Sequence, residues 1–347
     1  MKSMNNSKVA ILSSCAGYGT YVPSLLLSNE LSSKGILNKV FVYESFFNDS
    51  EKKKFLEYRK NFHKSFRFAK MASDVSATIE DNSDVEEIYK SFKMCNCDFY
   101  VVMFGSWLNV IEKIGISSKK VLCLRLDVSD TPSWSRVGYK GHCFNTEWLL
   151  GKAGCMPNYL LCRDTYNKNV FPRVVLHGGG WGINHFLPVA EKLKNKYEIY
   201  TIHSTKEEAE QFKTLFNEKS FYMPIDWLPD EKTAFPPLID SENGEFVSYR
   251  DMARNCCAVV SKPGGGTCLD ALLIKVPPIF LQSMAKHESN NSLHMVKNHL
   301  ANYFEIWEDE NFSYEFLLQI REKLITKTEN MSYITDYIER IVQSGTV

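Results

Sequence analysis

The sequence predicts an α/β protein made of two doubly wound domains that face each other across a cleft, and three observations predict it. Near-continuous apolar runs alternate with helical patterns, as expected of strands in a parallel sheet covered on both faces. That grammar starts twice, at Lys8 and again at Phe171, and each opening strand runs into a glycine-rich loop. The 347 residues suffice for two cores of ordinary size. In such folds ligands sit outside the carboxyl ends of the strands and in the crevice between domains.

In the first half, Lys8 to Ser13 reads as a buried strand, Ser14-Cys-Ala-Gly-Tyr-Gly-Thr20 as a loop, and Pro23 to Lys34 as a helix with Leu25, Leu26 and Leu31 inward, closed by Gly35. Val40 to Tyr43 is a second strand. The charged, aromatic-laced stretch from Asn48 to Lys70 reads as a largely solvated helix, and Asp98 to Phe104 and Lys120 to Leu126 supply further strands. Phe171 to His177 then opens the second half, followed by the loop Gly178-Gly-Gly-Trp-Gly182, a helix from His185 to Lys194 and a strand from Tyr197 to His203. A charged helix, Lys206 to Asn217, leads through a proline-bearing region to Phe246-Val-Ser248 and a short helix from Tyr249. The boundary falls near residues 163 to 171, which gives domains of 1–165 and 166–325. Residues 326–347 form a last helical segment, with Ile334, Tyr337, Ile338 and Ile341 at helical spacing, that fits either domain.

Lysine plus arginine number 41 and so do aspartate plus glutamate, so no excess charge advertises a nucleic acid or an anionic membrane as partner. Ten cysteines occur without a regular framework, and the first residues lack the apolar core of a signal peptide. A cytoplasmic protein with free thiols is expected. Cys95-Asn-Cys97 and Cys256-Cys257 lack a second ligand pair at zinc-site spacing and read as core residues. No apolar run approaches the roughly 20 residues that span a bilayer; a peripheral membrane contact stays open.

The most specific stretch is Ser261-Lys-Pro-Gly-Gly-Gly-Thr-Cys-Leu-Asp270. A strand runs into three glycines and then a helix, so backbone amides can approach a ligand closely and the helix dipole favours phosphate. Asp270, one turn in, is placed to accept from ribose hydroxyls. The alternative is a tight strand-to-helix turn capped by Thr267.

These residues, in this order, resemble GT-B glycosyltransferases, most closely the MurG-like branch of UDP-GlcNAc transferases and related UDP-sugar enzymes, over nearly the whole chain. The resemblance implies two Rossmann-like domains, an N-terminal one for the acceptor and a C-terminal one for the nucleotide-sugar. Gly178, Gly179, Gly180 and Gly182 match the family's first donor loop, which faces the diphosphate. Phe246 to Ser248 match the segment whose main chain reads the uracil. Gly264, Gly265, Gly266 and Thr267 match the phosphate-side loop, and Asp270 stands where the family has a ribose-binding Glu. His287, Glu288 and Asn291 match a His-Glu-x-x-Asn pattern in which polar groups meet the donor sugar and the Asn caps or steadies the following helix. The family implies no metal and no cofactor beyond the UDP-sugar co-substrate, with inversion by direct displacement onto a hydroxyl or amine of a small-molecule or glycan-like acceptor.

The first domain departs from the pattern. Where close relatives carry a His after their glycine loop, this chain has Gly17, Gly19 and then Thr20, and an unassisted hydroxyl is no base at neutral pH. Asp127 and Asp130, beyond the Lys120 to Leu126 strand, are the preferred substitutes, although Asp127-Val-Ser-Asp-Thr-Pro132 also reads as turn chemistry. His142 and Glu147 are weaker candidates, His177 is expected at the donor phosphate, and His294 and His299 on a helix surface. Tyr18, Tyr21, Phe104, Trp107, Trp134 and Trp148 could line an acceptor pocket, but for most of them core packing is expected. The rival functions are a UDP-sugar hydrolase of the nonulosonic-acid type, with a 2-epimerase behind it, and a non-catalytic donor-binding subunit that needs a partner chain.

Overall fold

The computed structural model describes residues 8–64, 85–138, 144–152, 154–182, 186–229 and 234–345. In the first half, β1 (Lys8–Ser13), β2 (Asn38–Val42), β3 (Cys97–Val102), β4 (Val121–Arg125) and β5 (Asn145–Trp148) form a parallel sheet in the order β2-β1-β3-β4-β5. Its helices are α1 (Tyr21–Ser33), α2 (Asp49–Lys64), α3 (Val85–Cys95), α4 (Trp107–Ile114) and α5 (Pro132–Val137). The strands are buried almost along their length, and Ile11, Leu12, Trp107 and Leu108 are fully enclosed, so the apolar runs read in the sequence become the sheet core. α1 begins two residues earlier than its pattern suggests because Pro23 sits in the first turn, where its missing N–H costs no hydrogen bond.

After a short β6 (Tyr159–Leu160), the second half builds an eight-stranded sheet from β7 (Phe171–His177), β8 (Glu198–His203), β9 (Lys219–Tyr222), β10 (Leu238–Asp240), β11 (Phe246–Val247), β12 (Cys256–Ser261), β13 (Pro278–Phe280) and β14 (Asn302–Tyr303). Its order is β11-β10-β9-β8-β7-β12-β13-β14, parallel except where β10 meets β9 and β11. The helices are α6 (Leu187–Leu193), α7 (Lys206–Phe216), α8 (Tyr249–Ala253), α9 (Gly265–Ile274), α10 (Lys286–Lys297), α11 (Phe304–Asp309), α12 (Tyr314–Thr328) and α13 (Ile334–Ser344). The remaining strand, β15 (Ser332–Tyr333), pairs with β6.

The last helix, which the sequence left free to join either domain, packs on the first half. Ile334, Ile338 and Ile341 are buried, while Lys34 at the end of α1 reaches Asp336 at 2.6 Å and Glu339 at 2.7 Å. These ion pairs are partly exposed and worth little each; the buried isoleucines carry the contact.

Two expectations are corrected. α2 is not largely solvated: Glu51, Phe55, Arg59 and Phe62 share one buried face, which the surrounding charges disguised. His294 is not a surface residue, because α10 turns it inward and leaves its Nε2 buried without a partner among the described residues; His299 is exposed as expected. Among the described residues no helix is long and apolar enough to cross a membrane.

Candidate functional site

Each sheet has one point where the chain reverses its direction of winding, between β1 and β3 in the first and between β7 and β12 in the second. The loops that leave these strands therefore open at the crevice, and here they meet. A Cβ on Gly180 would fall 1.3 Å from the Gly17 carbonyl oxygen, and one on Gly266 would touch Gly19 at 3.5 Å. The absence of side chains at these positions lets two main chains pass at a waist. On the first-half side, Tyr18 adopts φ +53° with its ring under Arg59 and its hydroxyl donating to the Trp227 carbonyl at 3.2 Å.

Two cavities adjoin this waist and share Gly19, Arg59, Gly179, Gly180, Gly266 and Thr267. The larger, about 520 Å³, lies mostly in the second half and is reached by Gly178, Gly182, Ser248, Tyr249, Arg250 and Asp270. Burial pushes the Asp270 carboxyl up to about 6, although the Arg250 guanidinium pulls the other way. Asp164, in the link between halves, pairs with Arg250 and with Arg254 at 3.2 Å, so these two arginines are tied to that link. His177 is held neutral, its pKa driven down to about 4 by burial and by Lys262. Its Nδ1 accepts from the Gly179 amide at 3.1 Å, which assigns the proton to Nε2, beside the Tyr249 hydroxyl at 3.3 Å. His177 thus shapes the glycine loop and brings no positive charge to a phosphate.

The smaller cavity, about 280 Å³, lies between the halves. From the second half it receives Lys262, Gly264, Gly265, His287 and Glu288. Lys262 is buried, which lowers its pKa, and lies 3.6 Å from Glu288. From the first half come Thr20, Glu44, Asp127 and a wall of aromatic rings. Thr20 occupies the N-cap of α1 without a side-chain cap bond, and no hydrogen bond to its hydroxyl is found among the described residues.

Of the two aspartates, only Asp127 reaches the cavity. Asp130 pairs with Arg125, whose guanidinium lies 4.1 Å from the Trp134 ring centre and 4.8 Å from that of Trp148, and the Asp130 side chain is half exposed. Asp127 sits at the start of α9 beside Gly265, and Asn291 donates to it at 2.6 Å. Burial raises its carboxyl, against the pull of His287 and the Asn291 bond. Asn291 itself is drawn out of the sugar site expected for it. It is fully buried, with its amide also donating to the Pro263 carbonyl at 3.1 Å and its oxygen accepting from the Val128 amide at 3.0 Å. The bonds to Asp127 and Val128 join the two halves.

A second clasp comes from α2. His63 Nδ1 donates to the Gly182 carbonyl at 2.7 Å and Nε2 contacts Glu208 at 2.6 Å, a geometry that uses both ring protons. Burial works against that charge, but the Glu208 carboxylate and the Gly182 carbonyl outweigh it and the pKa is raised. Arg59 donates to the Trp227 carbonyl at 2.9 Å.

The other predicted positions divide between cavity lining and core or surface. Phe246 is 78% exposed on the edge strand, and Val247 and Ser248 line the larger cavity instead. Glu147 lies on β5 with its carboxyl raised by burial, and His142 lies outside the described residues. Trp107 and Tyr21 are core, whereas Phe104 and Trp134 line the smaller cavity. Sequence reasoning missed Lys262, Glu44, Arg59 and Arg250. Lys262 stood inside the quoted glycine motif, and Arg59 shared a helical face with Phe55 and Phe62; those were the available signals.

No protein-family model matches the chain, and no curated protein matches it. Solved structures do. The glycosyltransferase VinC in complex with DTDP is similar at 12% identity and TM-score 0.54, over 97% of this chain and 99% of that one. MurG of Acinetobacter baumannii is similar at 11% identity and TM-score 0.54, over 97% and 99%. The spinosyn rhamnosyltransferase SpnG is similar at 10% identity and TM-score 0.57, over 96% and 99%. At such identities the likeness shows the fold, that of GT-B glycosyltransferases with two Rossmann-like domains.

Proposed function

We propose that this chain transfers a sugar from a pyrimidine nucleotide-sugar, a UDP-sugar in the first instance, to an acceptor hydroxyl. The observation that carries the reading is the pair of cavities joined at Gly266 and Thr267, at the start of α9. A nucleoside in the larger cavity, with Asp270 accepting from its ribose, puts its diphosphate at that helix N-terminus and its sugar in the smaller cavity. The amides there and the Lys262 ammonium suit the charge that develops on the leaving diphosphate. The acceptor oxygen bonds to the anomeric carbon as the bond to the diphosphate breaks, and the bonding pair leaves with the phosphate oxygen.

The similar structures of VinC and SsfS6 hold thymidine diphosphate. Uracil and thymine share the edge a main chain can read, but a carboxylate that accepts from two ribose hydroxyls favours UDP. Calorimetry with UDP, dTDP, ADP and GDP tests the nucleotide, and preference for a purine would sink the reading. UDP release from a panel of UDP-sugars, with and without acceptors, tests the reaction. Release that needs an acceptor supports transfer, release without one indicates a hydrolase, and tight UDP binding with no release in any mixture indicates a donor-binding subunit.

A further inference from the structure

We propose that the smaller cavity is an acceptor site for a compact, apolar, ring-bearing alcohol, and that Glu44 is the base that takes the proton from its hydroxyl. The inference rests on the sugar-transfer reading above.

The first-half wall of the cavity is mostly apolar, with Tyr43, Phe47, Phe55, Phe62 and Trp134 beside the smaller polar groups of Ser14, Thr20 and Ser133. The rings brace one another, Tyr43 edge-on to Phe47 at 5.9 Å and Phe47 to Phe55 at 6.2 Å, and all five are buried. A polyhydroxylated acceptor pressed against such a wall leaves hydroxyls unpaired, at about 1–3 kcal/mol each. An apolar ring system gains by the same burial. The volume of about 280 Å³ falls just below the usual range for small-molecule sites, about 300–1,000 Å³, and is shared with the donor sugar, so the acceptor is compact.

One carboxylate interrupts that wall. Glu44 lies two residues beyond β2 and is buried; one oxygen accepts from the Ser14 hydroxyl at 2.5 Å and the other from the Cys15 amide at 2.9 Å. Among the described residues it has no ion pair with a lysine or arginine. Its own amide and the Cys15 thiol also hydrogen-bond it, and a buried carboxylate without a counter-ion is costly. Burial holds its carboxyl above the ordinary range, nearer the pH at which a base must work.

The other carboxylate is on the wrong side. In a direct displacement the incoming oxygen approaches opposite the departing phosphate, so the base lies on the acceptor side of the anomeric carbon. Asp127 touches Gly265, among the amides assigned to the diphosphate, and is held there by Asn291. In the step itself the acceptor O–H proton passes to a Glu44 oxygen, the acceptor oxygen forms its bond to the anomeric carbon, and the diphosphate leaves with its bonding pair. The groups facing Glu44 are the Cys15 thiol on the β1 loop, itself raised by burial and by Glu44. Tyr43, Arg59 and Tyr58, Asp127 after β4, and Lys262, His287 and Glu288 from the second half line the same cavity.

The probe is 2-naphthol, whose excited state transfers its proton to an adjacent base and then emits as the anion. With UDP bound, 2-naphthol is expected to bind at least about tenfold more tightly than N-acetylglucosamine, with anion emission. Glu44→Gln keeps an acceptor for Cys15 and a partner for Ser14, so naphthol still binds but emits in its neutral form. In the wild-type protein the anion emission fades as pH falls through the carboxyl range, a readout that stands if the variant fails to fold. Failure of UDP to bind overturns the sugar-transfer reading. UDP binding with no naphthol binding, or with tighter binding of N-acetylglucosamine, overturns the acceptor class alone. Anion emission that is unchanged in Glu44→Gln, or that persists at low pH, overturns the base.

Discussion

Gly180→Ala drives a wedge into the waist without disturbing the fold on either side. The φ of Gly180 is not in the left-handed region, so alanine fits the local backbone. Its Cβ, however, would stand 1.3 Å from the Gly17 carbonyl oxygen, where ordinary contact begins near 3.4 Å. The halves must therefore part by about 2 Å at this point. Misplacing reacting groups by about 1 Å costs on the order of 100-fold in rate, so kcat is expected to fall by at least that factor. Gly180 also borders the larger cavity, but that cavity is built mainly from the second half, with Ser248, Tyr249 and Asp270 away from the clash, so UDP affinity should fall far less than kcat. Steady-state transfer and calorimetry read the two quantities separately, and small-angle scattering reads the opening. A variant with wild-type kcat would refute the interdomain contact. A loss of UDP affinity as large as the loss of rate would show instead that Gly180 faces the nucleotide.

Asp270→Ala should weaken UDP binding by about 1.5–3 kcal/mol, the worth of a charge-assisted contact, and unchanged affinity would sink the ribose assignment. Because the Asp270 carboxyl titrates at about 6, wild-type UDP affinity should decline as pH drops through that value, and calorimetry at several pH values checks it. The His63–Glu208 clasp has the opposite sign. The folded pKa of His63 is raised, so its stabilisation is complete below the unfolded value and is lost as pH rises through the folded one. Glu208→Gln should therefore lower the melting temperature in mild acid and not at high pH. The loss should be below about 1 kcal/mol, since the Glu208 side chain is 37% exposed; an equal effect at both pH values would contradict the clasp. Asn291→Ala leaves the Val128 amide and the Pro263 carbonyl unpaired at a buried seam, and chemical denaturation should register a loss of about 2–3 kcal/mol. A loss under about 0.5 kcal/mol would mean the bridge contributes nothing.

What was legible in the sequence was local, and what was not is the way one half meets the other. Each strand is a short apolar run and each glycine loop directly follows one, so the twice-repeated α/β grammar and the phosphate-side loop could be read from neighbours in the chain. α2 could not. Its inward face mixes Glu51 and Arg59 with Phe55 and Phe62, and that face looks solvated until a second body covers it. Asn291 makes the same point within one helix. It lies one turn beyond His287, on the same side of α10, and the family pattern assigned both to the donor site. The extra turn carries Asn291 under Pro263 and onto Asp127, 164 residues away, while His287 stays at the cavity. The same contact decides the fate of Asp127. A carboxylate just beyond a strand end reads as a base, yet the seam fixes it at the start of α9, next to the amides that a diphosphate would use. On the acceptor side the cavity keeps Glu44, which no spacing rule marks, because its bonds to Ser14 and Cys15 arise only when β2 is laid beside β1.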